Sequence, residues 1–303
     1  VNNAQESQIM NDNIEINEEE WNIFKDKVNE LDSELPESKR SSSRVIAGII
    51  PFGKIENRKR LETELRKGLK FLKEHIIRKD DAKPDEHTIG TYNSLLNNIN
   101  TGIRKIKKRD KDSVIRQSIE LSSLIYELFT LMLMDDVFKH SNDDDKRIVL
   151  NRYLNTCVHI HYQDMMDLIW SMMINQENDF PLPDIFTINT ILKNTRYQLD
   201  EEFDALEMID YVHDYIIKNS IVPDAYTYHE IIWIYGLLYE KSDKKDEIKQ
   251  RLRNILHYYM QTHLTMNIRL LQIIIFSFDA AGIKFSNAEM TIIVRNLKQQ
   301  NED

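Results

Sequence analysis

Two histidines, a lone cysteine, an acidic run and two blocks of cations are the side chains here whose types and spacing could do chemistry. His159 and His161 stand two apart. On a helix that spacing turns them about 200° from one another, so they do not form a metal pair. Each reads as a surface or hydrogen-bonded core histidine. Cys157 is the single cysteine of the chain, which excludes an internal disulfide and any multi-cysteine zinc site. In its apolar surroundings it reads as a small core residue. Asp135-Asp136 and Asp143-Asp144-Asp145 could ligate a cation, but no glycine-punctuated calcium loop surrounds them, and capping and solvation account for them. Gly48-Ile49-Ile50-Pro51-Phe52-Gly53-Lys54 lacks the spacing and the Ser/Thr of a phosphate loop. Nucleophile elbow, zinc-protease motif and dinucleotide fingerprint are all missing from the sequence. No cofactor, metal or small-molecule substrate is expected, and the chain does not read as an enzyme.

The cations point to a different chemistry. Arg58, Lys59, Arg60, Arg66 and Lys67, followed by Lys70 and Lys73, form one block; Arg104, Lys105, Lys107, Lys108 and Arg109 form a second. Between Glu37 and Arg116 there are 21 basic and 11 acidic side chains, whereas the rest of the chain carries 19 and 39. A basic segment of this kind suits phosphate contacts, which release counterions and give affinity without reading sequence. The acidic remainder suits basic protein neighbours better than a lone transcript.

The elements that must position these residues read as helices. Only 7 glycines and 6 prolines occur in 303 residues, so few turns can demand positive φ, and long helices with short polar loops are favoured. No stretch is apolar enough to span a membrane. Trp21, Phe24, Val28 and Leu31 share one helical face, as do Leu61, Leu65, Leu69, Leu72 and Ile76. The charge and pattern shifts divide the chain into an acidic extension over 1–43, a basic helical segment over 44–82 and repeats over 83–303. Arg104–Lys111 reads as a basic loop, with a second helix over about 113–134.

The repeats rest on a phrase used twice. Leu182-Pro183-Asp184-Ile185-Phe186-Thr187-Ile188 and Val222-Pro223-Asp224-Ala225-Tyr226-Thr227-Tyr228 share an apolar-Pro-Asp-x-aromatic-Thr-apolar pattern 40 residues apart. Proline stops one helix and aspartate can cap the next. A looser copy opens at Pro84-Asp85 and reaches Thr91 after three extra residues. A degenerate fourth copy lies at Leu264-Thr265-Met266-Asn267. Helices are expected over about 185–195, 201–218, 225–240, 245–261, 267–281 and 287–297. A period of 20 to 50 residues marks stacked units, each with an apolar face it cannot bury alone.

The phrase, followed by second helices such as Asp204-Ala205-Leu206-Glu207-Met208-Ile209, resembles the pentatricopeptide repeat family, best over 182–222 and 223–264. The resemblance implies an all-α fold, an α-solenoid of stacked antiparallel hairpins with a helical N-terminal extension. It also implies a divergent protein of fungal mitochondria, placed in the matrix. In the family, bases are read by residue pairs; carried onto this chain these are Asn189 with Asp224 and His229 with Met266. Together with the charge split, the resemblance implies a component of the small subunit of the mitochondrial ribosome, with ribosomal RNA and other mitochondrial ribosomal proteins as partners. The alternative is a free factor acting on a mitochondrial mRNA.

Overall fold

Long apolar-periodic stretches and a scarcity of glycine and proline leave the backbone little choice but helix. The computed structural model describes residues 18–19, 22–26, 57–77, 88–109, 119–199, 204–262 and 266–300. They are all-α, with no strand among the described residues. The helices are α1 (Arg58–Ile77), α2 (Ile89–Arg109), α3 (Ile119–Met134), the short α4 (Asp136–Lys139), α5 (Asp143–Ile160), α6 (Gln163–Ile174), α7 (Ile185–Tyr197), α8 (Ala205–Lys218), α9 (Ala225–Lys241), α10 (Lys245–Gln261), α11 (Ile268–Ala280) and α12 (Asn287–Gln300). The chain divides into two compact units, 42–190 and 191–303 with the first 41 residues. One division runs inside α7 and the other falls between residues 41 and 42.

Within 42–190, α1 packs on α2 and α3, α2 lies along α5, and α5 packs on α6. The expected stripe of α1 is buried at Leu61, Leu65, Leu69 and Leu72. Aromatic rings fill the centre: Phe129 lies 5.1 Å from Tyr153 and 6.3 Å from Phe180, which in turn meets Phe138 at 6.0 Å. Their polar atoms are satisfied as burial requires. The Tyr153 hydroxyl donates to the Ile125 carbonyl. Tyr92, fully buried, donates to Asp135 Oδ2 at 2.6 Å, and Asp135 caps α4 by accepting from the Val137 amide at 3.0 Å.

The repeated phrase is written for its helix starts. At α7, Asp184 Oδ1 accepts from the Thr187 amide at 2.9 Å while Thr187 Oγ1 accepts from the Asp184 amide at 3.2 Å. At α9, Asp224 and Thr227 repeat this box at the same two distances. Two orphan amides are thereby satisfied at each start. At α2 half of this geometry begins at Thr88, whose amide donates to Thr91 Oγ1 at 3.2 Å while the Thr91 amide donates to the Thr88 carbonyl at 2.8 Å. Pro84-Asp85, where the looser copy is expected to open, lies outside the described residues. In the fourth copy the cap is Asn267, which accepts from the Leu270 amide at 2.8 Å. At α5, Asn142 caps through the Asp145 amide at 2.8 Å, so that helix starts three residues before Lys146.

The start of α7 is also braced from the preceding helices. Asn151 on α5 donates to Asp184 Oδ1 at 3.1 Å and accepts from the Thr187 hydroxyl at 2.7 Å, and Arg147 Nε donates to the Leu182 carbonyl at 3.1 Å.

Within the other unit, α9 packs on both α10 and α11. The α9–α11 approach depends on Gly236. A Cβ there would lie 2.4 Å from Ser277 Oγ and 2.8 Å from Ser277 Cα. Alanine at 236 is a better helix former by about 1 kcal/mol, yet it has to push backbone apart. Gly236→Ala is expected to lower stability by about 1–3 kcal/mol in urea denaturation; an unchanged midpoint would show that the helices separate freely.

Gly282, at φ +64°, ends α11, and the Ile283 amide returns to the Phe278 carbonyl at 2.8 Å. Phe278 meets Phe285 at 5.2 Å, and Phe285 meets Phe24 edge-on at 5.8 Å. Lys25 pairs with Asp279 at 3.1 Å. Residues 22–26 are helical and dock here. Trp21, Val28 and Leu31, the rest of the face read from the sequence, lie outside the described residues. The cap of α8 is Asp204, which accepts from the Leu206 and Glu207 amides at 3.1 Å.

Candidate nucleic-acid interface

The first cation block occupies the outside of α1. Lys59, Arg60, Arg66, Lys67, Lys70 and Lys73 are exposed, and Arg58 is half-buried. Several are engaged. Arg58 pairs with Glu62 at 3.2 Å and Lys67 with Glu64 at 3.0 Å along the helix, while Arg66 and Lys73 reach Glu120 and Glu127 on α3. Exposed pairs of this kind are each worth about 0–1 kcal/mol and are weakened by salt, so a polyanion can compete for their cations. Lys59, Arg60 and Lys70 have no carboxylate partner among the described residues.

The second block corrects the sequence reading. Arg104, Lys105, Lys107, Lys108 and Arg109 do not form a loop: α2 continues through Arg109. Lysine and arginine are good helix formers, no glycine or proline interrupts the run, and cations near a helix C-terminus are favoured by the helix dipole. Arg104 and Lys105 are exposed; the side chains of Lys107, Lys108 and Arg109 lie outside the described set.

The structure adds a cation that sequence reasoning missed. Arg152, half-buried on α5, donates from Nη1 to Asn97 Oδ1 at 2.9 Å, and Asn100 Nδ2 donates to the Arg152 carbonyl at 3.3 Å. Burial, and then the nearby charge of Arg104, lower the pKa of Arg152 from its ordinary value. The signal available in the sequence was an asparagine-rich face on two helices that carry no acid beside it.

The positions carried over as base readers sit elsewhere. Asn189 and His229 are each 5% exposed and Met266 is 1% exposed, which leaves Met266 no surface with which to meet a base. Asp224 is the cap of α9. His229 stacks on Tyr226 with ring centres 5.4 Å apart and meets Trp233 edge-on at 5.4 Å. Beside it, Glu230 is fully buried and accepts from Arg196 Nε at 2.8 Å, and the Arg196 guanidinium lies 3.8 Å over the Trp233 ring. Burial opposes ionisation of Glu230, but His229 and the charge and hydrogen bond of Arg196 outweigh it and hold the carboxyl below its ordinary range. The cluster is packing. Of its aromatic rings, Tyr226 is exposed.

An apolar cleft of about 620 Å³ lies between α8 and α10, lined by Ile216, Ile217, Ile255 and Tyr258 among others. At its edge Arg251 holds both oxygens of Asp210 at 2.5 and 2.9 Å, and this bonding keeps Asp210 below its ordinary pKa. Cys157 is buried, and burial pushes its thiol well above the ordinary value, which leaves it inert. His159 is buried, while His161 adopts the left-handed conformation, at φ 58°, that ends α5. Among the described residues no cluster of ligating side chains could hold a metal, and no helix is long and apolar enough to cross a membrane. In comparisons with protein-family models and with curated proteins, nothing matches this chain.

Proposed function

We propose that the chain is a pentatricopeptide-like helical-repeat protein that serves as an RNA-associated structural component of a ribonucleoprotein. The mitochondrial small ribosomal subunit, with its ribosomal RNA and ribosomal proteins, is the particle that the resemblance implies. On this reading each capping box starts the first helix of a hairpin, and the chain acts by binding rather than by catalysis.

The observation that carries this reading is a separation of roles. On α1 and α2 the exposed cations Lys59, Arg60, Lys70, Arg104 and Lys105 have no carboxylate partner among the described residues. The positions that would read bases, by contrast, are spent on caps and core. Affinity without base readout suits a protein held in a fixed particle better than one that must choose among transcripts.

The protein is expected to cosediment with the small mitochondrial subunit in a sucrose gradient, and to be released progressively as salt rises. Sedimentation only in the free pool would overturn the placement. Replacing Lys59, Arg60 and Lys70 together with alanine is expected to lower the salt at which half is released.

A further inference from the structure

We propose that Arg104 and Arg152, facing one another across the seam between α2 and α5, form a clamp for one phosphate of an RNA backbone. The proposal rests on the RNA-associated reading above and gives it a site that spans two helices.

The argument begins with what the seam lacks. α2 contains no aspartate or glutamate from Ile89 to Arg109, and α5 contains none from Lys146 to Ile160, its three acids being confined to its first turn. Where these helices pack, therefore, neither offers a carboxylate to the guanidinium groups. The hydrogen bond of Arg152 to Asn97 fixes which stripe of α2 faces α5. Thr101, Arg104 and Lys105 follow Asn97 at four, seven and eight residues, which continues that stripe toward the C-terminus of α2. Arg104 is thus carried to the same side as Arg152, close enough for its charge to act on it.

Two like charges brought together in partly buried surroundings repel, and folded proteins tolerate this where an anion completes the site. Arg152 is held in place: Asn97 takes one guanidinium hydrogen, and its backbone carbonyl accepts from Asn100 and from Thr156 Oγ1 at 2.9 Å. The remaining guanidinium hydrogens can meet a tetrahedral anion in paired fashion, the geometry for which arginine is suited and lysine is not. Arg104 is exposed and supplies the second fork, with Lys105 beside it. The neutral asparagines that line the seam add hydrogen-bond donors without opposing charge. A backbone phosphate fits these features better than the carboxylate of an acidic protein, because it presents more oxygens to two converging forks.

The test is binding of a short fluorescein-labelled oligouridylate to the full chain, followed by anisotropy between about 50 and 200 mM salt. Arg152→Ala and Arg104→Ala are each expected to weaken binding about tenfold, the loss of a charge-assisted contact. Each is also expected to reduce the slope of log affinity against log salt by up to about 0.7, as for one phosphate on a single strand. Arg152→Lys keeps the charge and is expected to retain the slope with reduced affinity. Lys218→Ala, an exposed cation in the other unit, is expected to change nothing. If the wild type binds and both alanine variants bind equally well, the clamp is wrong while the RNA-associated reading stands. If the wild type binds no RNA under any of these conditions, both fall. Equal binding of polyglutamate, weakened alike by Arg152→Ala, would assign the pair to an acidic protein and overturn the RNA assignment. Because Arg152 also anchors α5 to α2, Arg104→Ala, which removes no hydrogen bond seen among the described residues, keeps the outcome independent of folding.

Discussion

Glu230→Ala is expected to lower the unfolding free energy by about 3–5 kcal/mol, the cost of leaving one member of a buried ion pair alone. Arg196 would remain 11% exposed against Trp233 with nothing to neutralise it. The pair itself is not the source of that number, since desolvating both charges cancels much of their attraction. Replacing both together, Glu230→Leu with Arg196→Met, is accordingly expected to return stability to within about 1 kcal/mol of the wild type. Urea denaturation of the single and double variants checks this. A loss below about 1 kcal/mol in the single variant would show that Arg196 turns out to solvent instead.

The same carboxyl has a pH signature. Its folded-state pKa lies below the ordinary 4.5, so its contribution is fully present above that value and is lost as pH falls through the folded pKa. The wild type is therefore expected to lose stability more steeply than Glu230→Gln on acidification below about 4.5. Parallel acid limbs would remove Glu230 from the account.

Phe285→Ala is the second large effect, about 3–5 kcal/mol for deleting a fully buried ring. Phe285 stands between Phe278 and Phe24, so its loss opens a cavity and also removes the ring against which Phe24 packs edge-on. The Lys25–Asp279 and Lys284–Glu18 pairs beside it are exposed and hold the segment only weakly. Brief trypsin treatment is expected to cleave after Lys25 in the variant well before the bulk of the chain is digested. Simultaneous loss of all fragments would show that the segment does not open separately.

The helices were legible in the sequence because their signals are local. The Pro-Asp-x-aromatic-Thr phrase placed α7 and α9 to the residue at their starts, since Asp184 with Thr187 and Asp224 with Thr227 complete a box within four residues. In the third copy Thr88 and Thr91 supply one half of that box at the start of α2 without a carboxylate, while Pro84-Asp85 lies outside the described residues. The basic run near 104–109 was misread because charge density suggests a loop, whereas helix propensity and the end of a long amphipathic pattern favoured continuation. The site was less legible than the fold. Arg152 lies 48 positions from Arg104 in the numbering, and only the packing of α2 along α5 brings them together. Nothing in the sequence marks Glu230, because its buried partner Arg196 arrives from another helix.

The brace on α7 carries a consequence for the order in which the chain acquires its structure. Asp184 and Thr187 form their box locally, but Asn151 and Arg147 lie earlier in the chain and have been synthesised by the time that box emerges. The nascent start of α7 thus meets a template already folded, and the register of one helix is handed forward to the next as synthesis proceeds. A circular permutant that placed residues 184–197 ahead of 143–160 would keep every contact of the finished protein and lose that direction of assembly.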